Sequence, residues 1–142
     1  MVEILQNKIL ICSILSNIVA QLLKVIINFF TVKEFNIKRL TEAGGMPSSH
    51  SSTVSALATA VFIEYGVKSP YFAIAMIFGI IVLWDAAGVR NAAGKHAEIL
   101  NLIMDDLQYL LSKDFQKVAL KTLLGHTRFQ VFVGTLLGIG IA

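Results

Sequence analysis

Between Ile9 and Phe30 the chain runs for 22 residues with Lys24 as its one charged side chain. That is long enough to cross a bilayer, which takes about 20 apolar residues. The run exceeds the core of a secretory signal and shows no small-residue cleavage site, so it is read as a helix retained in the membrane. The remainder agrees. Of 142 residues, 56% are hydrophobic and 15% charged, against roughly 25% charged in a typical soluble domain. The length allows one domain, 1–142. The formal charge of +3 comes from Lys and Arg scattered between apolar segments, a distribution that excludes a nucleic-acid patch. Cys12 is the single cysteine, so neither an internal disulfide nor a cysteine metal cluster is available.

The fold expected is all-α, with about four membrane helices and one amphipathic helix at the interface. In the first helix Gln21 and Lys24 share a face, i and i+3, which should look inward with Asn17. Residues 31–46 form a polar connection with Lys33, Lys38 and Arg39, ended by Gly44, Gly45 and Pro47. A second helix, rich in Ser, Ala, Thr and Val, runs from Ser48, which with Ser49 can cap it, to about Tyr65 before Gly66. Pro70 suits the first turn of a third helix that exits near Arg90. From His96 to Leu111 the apolar residues Ile99, Leu100, Ile103, Leu107 and Leu110 recur with amphipathic spacing, opposite Asp105 and Asp106. Residues 113–121 are charged and expected at the surface, and Gly125 introduces a last helix with Gly134, Gly138 and Gly140. Alternating passes place His50, Arg90 and His126 at one membrane face, with Lys24 about 9 Å deep at 1.5 Å per residue. The second and fourth spans are short for a bilayer, and a homo-oligomer would shelter them.

An oxyanion held in such a setting needs cations, backbone donors at a helix start, and imidazoles that exchange protons near neutrality. Gly44-Gly45-Met46-Pro47-Ser48-Ser49-His50 opens a helix out of a turn and supplies the amides. It resembles the P-S-G-H element of type-2 phosphatidic-acid phosphatases and vanadium haloperoxidases, with Ser49 in the glycine position, and in its full form the divergent branch of that superfamily. His126-Thr127-Arg128-Phe129-Gln130-Val131, followed by Gly134, is similar to the superfamily's His-x-x-x-Asp-Val-x-x-Gly element. Asp85-Ala86-Ala87-Gly88-Val89-Arg90, with Ala92, Gly94, Leu100 and Asn101, also looks like the divergent branch.

The resemblance spans essentially the whole chain and implies roles. His126 would be the nucleophile that forms a phosphohistidine, and His50 the acid that protonates the leaving alcohol. Lys24, Arg90, Ser48, Ser49 and Gly45 would bind phosphate, supported by Gln21, Asp85 and Gln130. No metal or other cofactor is expected, with vanadate acting as a phosphate mimic. The substrate would be a lipid or polyprenyl phosphate or diphosphate in the bilayer, and no nucleic-acid partner is expected. Lys33, Lys38, Arg39, Arg90 and Lys95 put the site on the cytoplasmic side of a multi-pass protein of the cell membrane.

The sequence departs from the family in three places. No Arg-Pro pair follows Lys24. Thirty-five residues lie between Arg90 and His126, whereas His96 stands at the shorter spacing of ordinary members and is the rival nucleophile. Gln130 replaces the acid that orients the nucleophilic imidazole, which removes about 1–3 kcal/mol of charge-assisted hydrogen bonding unless Asp85, Glu98 or Asp106 takes its place.

Plainer readings stand beside each role. Lys24 can snorkel to the interface, Arg90 can anchor a helix end with Asp85 as its partner, and the two histidines can bridge helices or bond backbone. The serines and glycines can be packing surface alone. The competing functions are a silent phosphate-headgroup binder or assembly subunit, and a small transporter.

Overall fold

The computed structural model describes residues 6–33, 44–107, 120, 122 and 125–142. Lys38, Arg39, Leu110, Leu111 and, of the charged stretch 113–121, all but Leu120 lie outside the described residues. The helices, in order, are α1 (Lys8–Val32), α2 (Ser49–Tyr65), α3 (Pro70–Ala87), α4 (Val89–Leu107) and α5 (Arg128–Ile141). The chain is all-α, with no strand among the described residues.

Local chemistry sets the helix ends. Asn7 caps α1 by accepting from the Leu10 amide at 3.1 Å, and Ser48 caps α2 by accepting from the Ser51 amide at 3.3 Å. Each supplies an oxygen to a first-turn N–H that has no helical acceptor. Ser69 caps α3, with Pro70 in its first turn, where the missing N–H costs nothing. Thr127 and Gln130 form a reciprocal capping box on α5.

Side-chain contacts give the directions. Ser16 meets Ser52 at 2.5 Å and Asn17 donates to Thr53 at 3.0 Å, while Lys24 packs at Gly45, ahead of α2, and Lys8 shares a cavity with Tyr65, so α1 and α2 are antiparallel. Phe62 packs on Phe72 and Tyr65 on Tyr71, making α3 antiparallel to α2. Gly134 lies against Ser48 and Ser51, and Gly138 against Ser52 and Ala56; α5 therefore runs parallel to α2. In consequence the N-termini of α2 and α5 stand together beside the C-terminal end of α1. Helix α2 is the central element, packed by α1, α3 and α5.

The interior is small and polar and the exterior large and apolar, the reverse of a water-soluble bundle. The bulkiest fully buried side chains include His126, Pro47, Ser16, Ser48, Ser51 and Ser52, whereas Phe30, Ile74 and Trp84 are 75%, 69% and 77% exposed. Close helix contact through small residues, with hydroxyl hydrogen bonds between helices, is how membrane helices associate when lipid removes the hydrophobic drive. Lys8–Thr31 and the helical run from Pro70 are long and apolar enough to cross a membrane. Helices α2 and α5, with 17 and 14 residues, are short for a bilayer, as their sequences indicated, so the expected four membrane helices are matched only in part.

Two boundaries differ from expectation. Helix α4 begins at Val89, one residue after the break at Gly88, rather than at His96. Its early inward positions, Gly94 and Ala97, are too small to raise an apolar periodicity. Helix α5 begins at Arg128, so His126 precedes it.

Candidate functional site

At the start of α2 the amides divide into two sets. The Ser48 N–H donates to the Gln130 carbonyl at 3.2 Å, and Ser48 Oγ accepts from the Ser51 amide and the Ser51 hydroxyl. Ser48, fully buried, thus joins α2 to α5 through its main chain and caps α2 through its side chain. The amides of Ser49 and His50 have no helical acceptor, as first-turn donors do not. They and the positive end of the α2 dipole are what this terminus offers an anion.

The His50 and His126 rings meet edge to face with centroids 6.1 Å apart, although 75 residues lie between them. His126 is the buried member, 2% exposed. Neither of its ring nitrogens has a hydrogen-bond partner among the described residues. Its main chain is held instead: the N–H donates to the Ala86 carbonyl at 3.0 Å, and the carbonyl accepts from Asn91 Nδ2 at 3.2 Å. Gly125 makes this approach possible. Its φ is +84°, and a Cβ there would fall inside the Arg90–Asn91 backbone, so both conformation and space require glycine. Burial first, then the positive charges of Lys24, His50 and Arg90, push the His126 imidazole down to about 4.

The cations come from two sides. Lys24 is 2% exposed, packed inside rather than reaching out to an interface. A Cβ on Gly45 would lie 3.2 Å from its Cγ and Cδ, so Gly45 makes room for the lysine stem. Because α1 continues to Val32, Lys24 stands about 12 Å before the helix end at 1.5 Å per residue, deeper than expected. Gln21, one turn earlier, has a buried Oε1 with no partner among the described residues. Arg90 Nε donates to Asp85 Oδ2 at 2.5 Å, and both side chains remain partly exposed. A cavity of about 220 Å³ is lined by His50, Ile81, Val82, Asp85, Ala86 and Arg90.

Other expectations change. The Gln130 side chain accepts from the Thr127 amide at 3.0 Å; it caps α5 and does not orient the His126 ring. The pattern Thr-x-x-Gln is the sequence signal for that role. Asp85 is paired with Arg90, while Glu98 and Asp106 are exposed on α4, so none of them stands in for the missing acid. His96 is exposed on α4, and His126, beside His50, is the histidine brought into the cluster. Among the described residues no three His, Cys, Asp or Glu side chains converge as metal ligands. The groups gathered here are cations, amides and imidazoles, a set suited to an oxyanion.

No solved structure matches the chain. "Uncharacterized membrane protein YuiD" of Bacillus subtilis (strain 168) is 42% identical over 146 residues, covering 96% of this chain and 92% of the relative. A family model described as "Divergent PAP2 family" matches residues 5–141. With two histidines, a buried lysine and an arginine gathered at one end of a helical membrane bundle, and a family match over nearly its whole length, the chain belongs to the divergent PAP2 family.

Proposed function

We propose that the protein is a multi-pass phosphatase of the cell membrane that hydrolyses a lipid or polyprenyl phosphate or diphosphate through a phosphohistidine on His126. The reading rests on one observation above the others: a buried imidazole with both ring nitrogens unsatisfied lies 6.1 Å, centroid to centroid, from a second imidazole. A buried polar group without a partner costs stability, and a ligand that satisfies it accounts for its presence. In the proposed reaction a neutral His126 nitrogen attacks phosphorus as the bond to the leaving alcohol breaks, and His50 gives that oxygen its proton. Water then attacks phosphorus, the N–P bond breaks, and His50 takes the water proton. Lys24, Arg90 and the Ser49 and His50 amides stabilise the equatorial oxygens. No metal or other cofactor enters these steps. The cavity's mixture of Arg90 and His50 with Ile81 and Val82 suits an amphiphile whose headgroup carries the charge.

A silent headgroup binder is the second reading, favoured by the commitment of Gln130 to Thr127, which leaves the imidazolium-like transition state without a supporting charge. Phosphate release from phosphatidic acid and from a polyprenyl diphosphate, with chelator present and the protein in nanodiscs, separates the two. Turnover that vanadate inhibits, and that falls by roughly a thousandfold or more in His126→Ala, supports the phosphatase. Vanadate binding to wild type without any phosphate release points to the binder.

A further inference from the structure

We infer that Asn91 is a positioning residue for the nucleophile, its side-chain amide holding the His126 imidazole in place through the His126 backbone carbonyl. This rests on the reading of His126 as the attacking group and deepens it.

With both ring nitrogens unsatisfied and Gln130 engaged elsewhere, the direction of the His126 ring is set by packing and by where its main chain is fixed. Both main-chain polar groups are fixed by one piece of structure, the α3–α4 junction: the N–H by Ala86 O at 3.0 Å and the carbonyl by Asn91 Nδ2 at 3.2 Å. Gly125, the preceding residue, is pressed against the Arg90–Asn91 backbone. Asn91 is the third residue of α4 and directly follows Arg90, so one helix start sets the guanidinium and the imidazole relative to each other.

The rest of α4 continues the same task. Asn91, Gly94, Ala97 and Asn101 fall within one side of the helix at 100° per residue, and with Met104 they are its less exposed positions. Asn101 grips the incoming chain with both ends of its amide, Nδ2 donating to the Leu120 carbonyl and Oδ1 accepting from the Leu120 N–H, each at 2.9 Å. The chain is thus held to α4 at Leu120 and again at His126. Helix α4, expected as a passive interfacial element, is the rail on which the nucleophile is mounted.

The test uses the full chain in nanodiscs, with Asn91→Ala to remove the donor and Asn91→Gln to retain one. Three quantities are read: phosphate release, vanadate affinity, and the ¹⁵N resonances of the three histidine rings. In Asn91→Ala, kcat is expected to fall about ten- to a hundredfold, the scale of a 1 Å misplacement. KM and the vanadate Kd should stay within about threefold, the split that marks a contribution to the reacting geometry. The His126 resonances move while those of His50 and His96 stay, and Asn91→Gln recovers part of the rate. Unmoved His126 resonances, or a loss of rate that follows loss of folded protein, overturn the inference. If wild type releases no phosphate, the phosphatase reading fails by itself, and the His126 resonances still decide for or against Asn91. Asn91→Leu, close in shape and without a donor, gives the same reading should the alanine variant not fold.

Discussion

A buried histidine with its pKa pushed down to about 4 has consequences for both chemistry and stability. As a nucleophile the ring must be neutral, and His126 stays neutral at pH 5, where an ordinary histidine of pKa 6.5 is mostly protonated. For stability, above pH 6.5 both folded and unfolded states carry a neutral ring and the residue contributes no slope. As pH falls from 6.5 towards 4 the unfolded chain binds a proton that the folded protein does not, and stability drops; below about 4 the effect levels off. Thermal unfolding in detergent should therefore show a lower midpoint at pH 5 than at pH 7, and His126→Gln should shrink that difference. An unchanged pH dependence in the variant would show that the ring titrates normally.

Among the elements, the α2–α5 contact leaves least room. A Cβ on Gly138 would clash with the Ser52 carbonyl oxygen and crowd the Ala56 amide and Ser55 Cβ. Gly138→Val must part the two helices, at a cost of about 1–3 kcal/mol or more from overpacking, and the movement carries the start of α5 away from the start of α2. The expected result is a lower unfolding midpoint together with weaker vanadate binding. Gly140, with nothing within 4 Å of its Cβ position, should accept alanine with neither effect.

Helix α1 was legible from its apolar run, and α2 and α3 from a serine cap and a proline at their starts, because those signals are local. The joining of His50 to His126 was legible from the alternation of the helices, which puts both at one membrane face, and from motif resemblance. Helix α4 was half missed for a physical reason: its inward face is built from Asn91, Gly94, Ala97 and Asn101, which give no hydrophobic rhythm, and its visible rhythm belongs to the outward residues Ile99 and Ile103. The Gln130 cap was spelled out in the sequence, yet the resemblance drew attention to the acid it replaces. Asn91 had no sequence signal, since a side chain acting on a backbone carbonyl 35 positions away leaves no pattern.

On the scale of the whole molecule, both helix N-termini, both imidazoles and Arg90 occupy one end of the bundle, so the orientation of that end decides which leaflet supplies the substrate. From the basic residues near it, Lys33, Arg90 and Lys95 among the described ones, we propose that it faces the cytoplasm. In a Cys12→Ser background, Lys95→Cys should resist an impermeant maleimide in intact cells and react after permeabilisation. Labelling of intact cells would turn the site outward.

Helix α2 is 17 residues long, about 26 Å at 1.5 Å per residue, against roughly 30 Å of hydrocarbon. Its first turn carries His50, which meets His126, and the exposed Thr127 and Arg128 adjoin His126. A short span is accommodated by thinning of the bilayer, among other ways, and we propose that it thins at this hydrophilic end. On the proposed function, neighbouring phosphates then sink to the depth of the imidazoles, and a lipid substrate reaches them without being lifted from its leaflet.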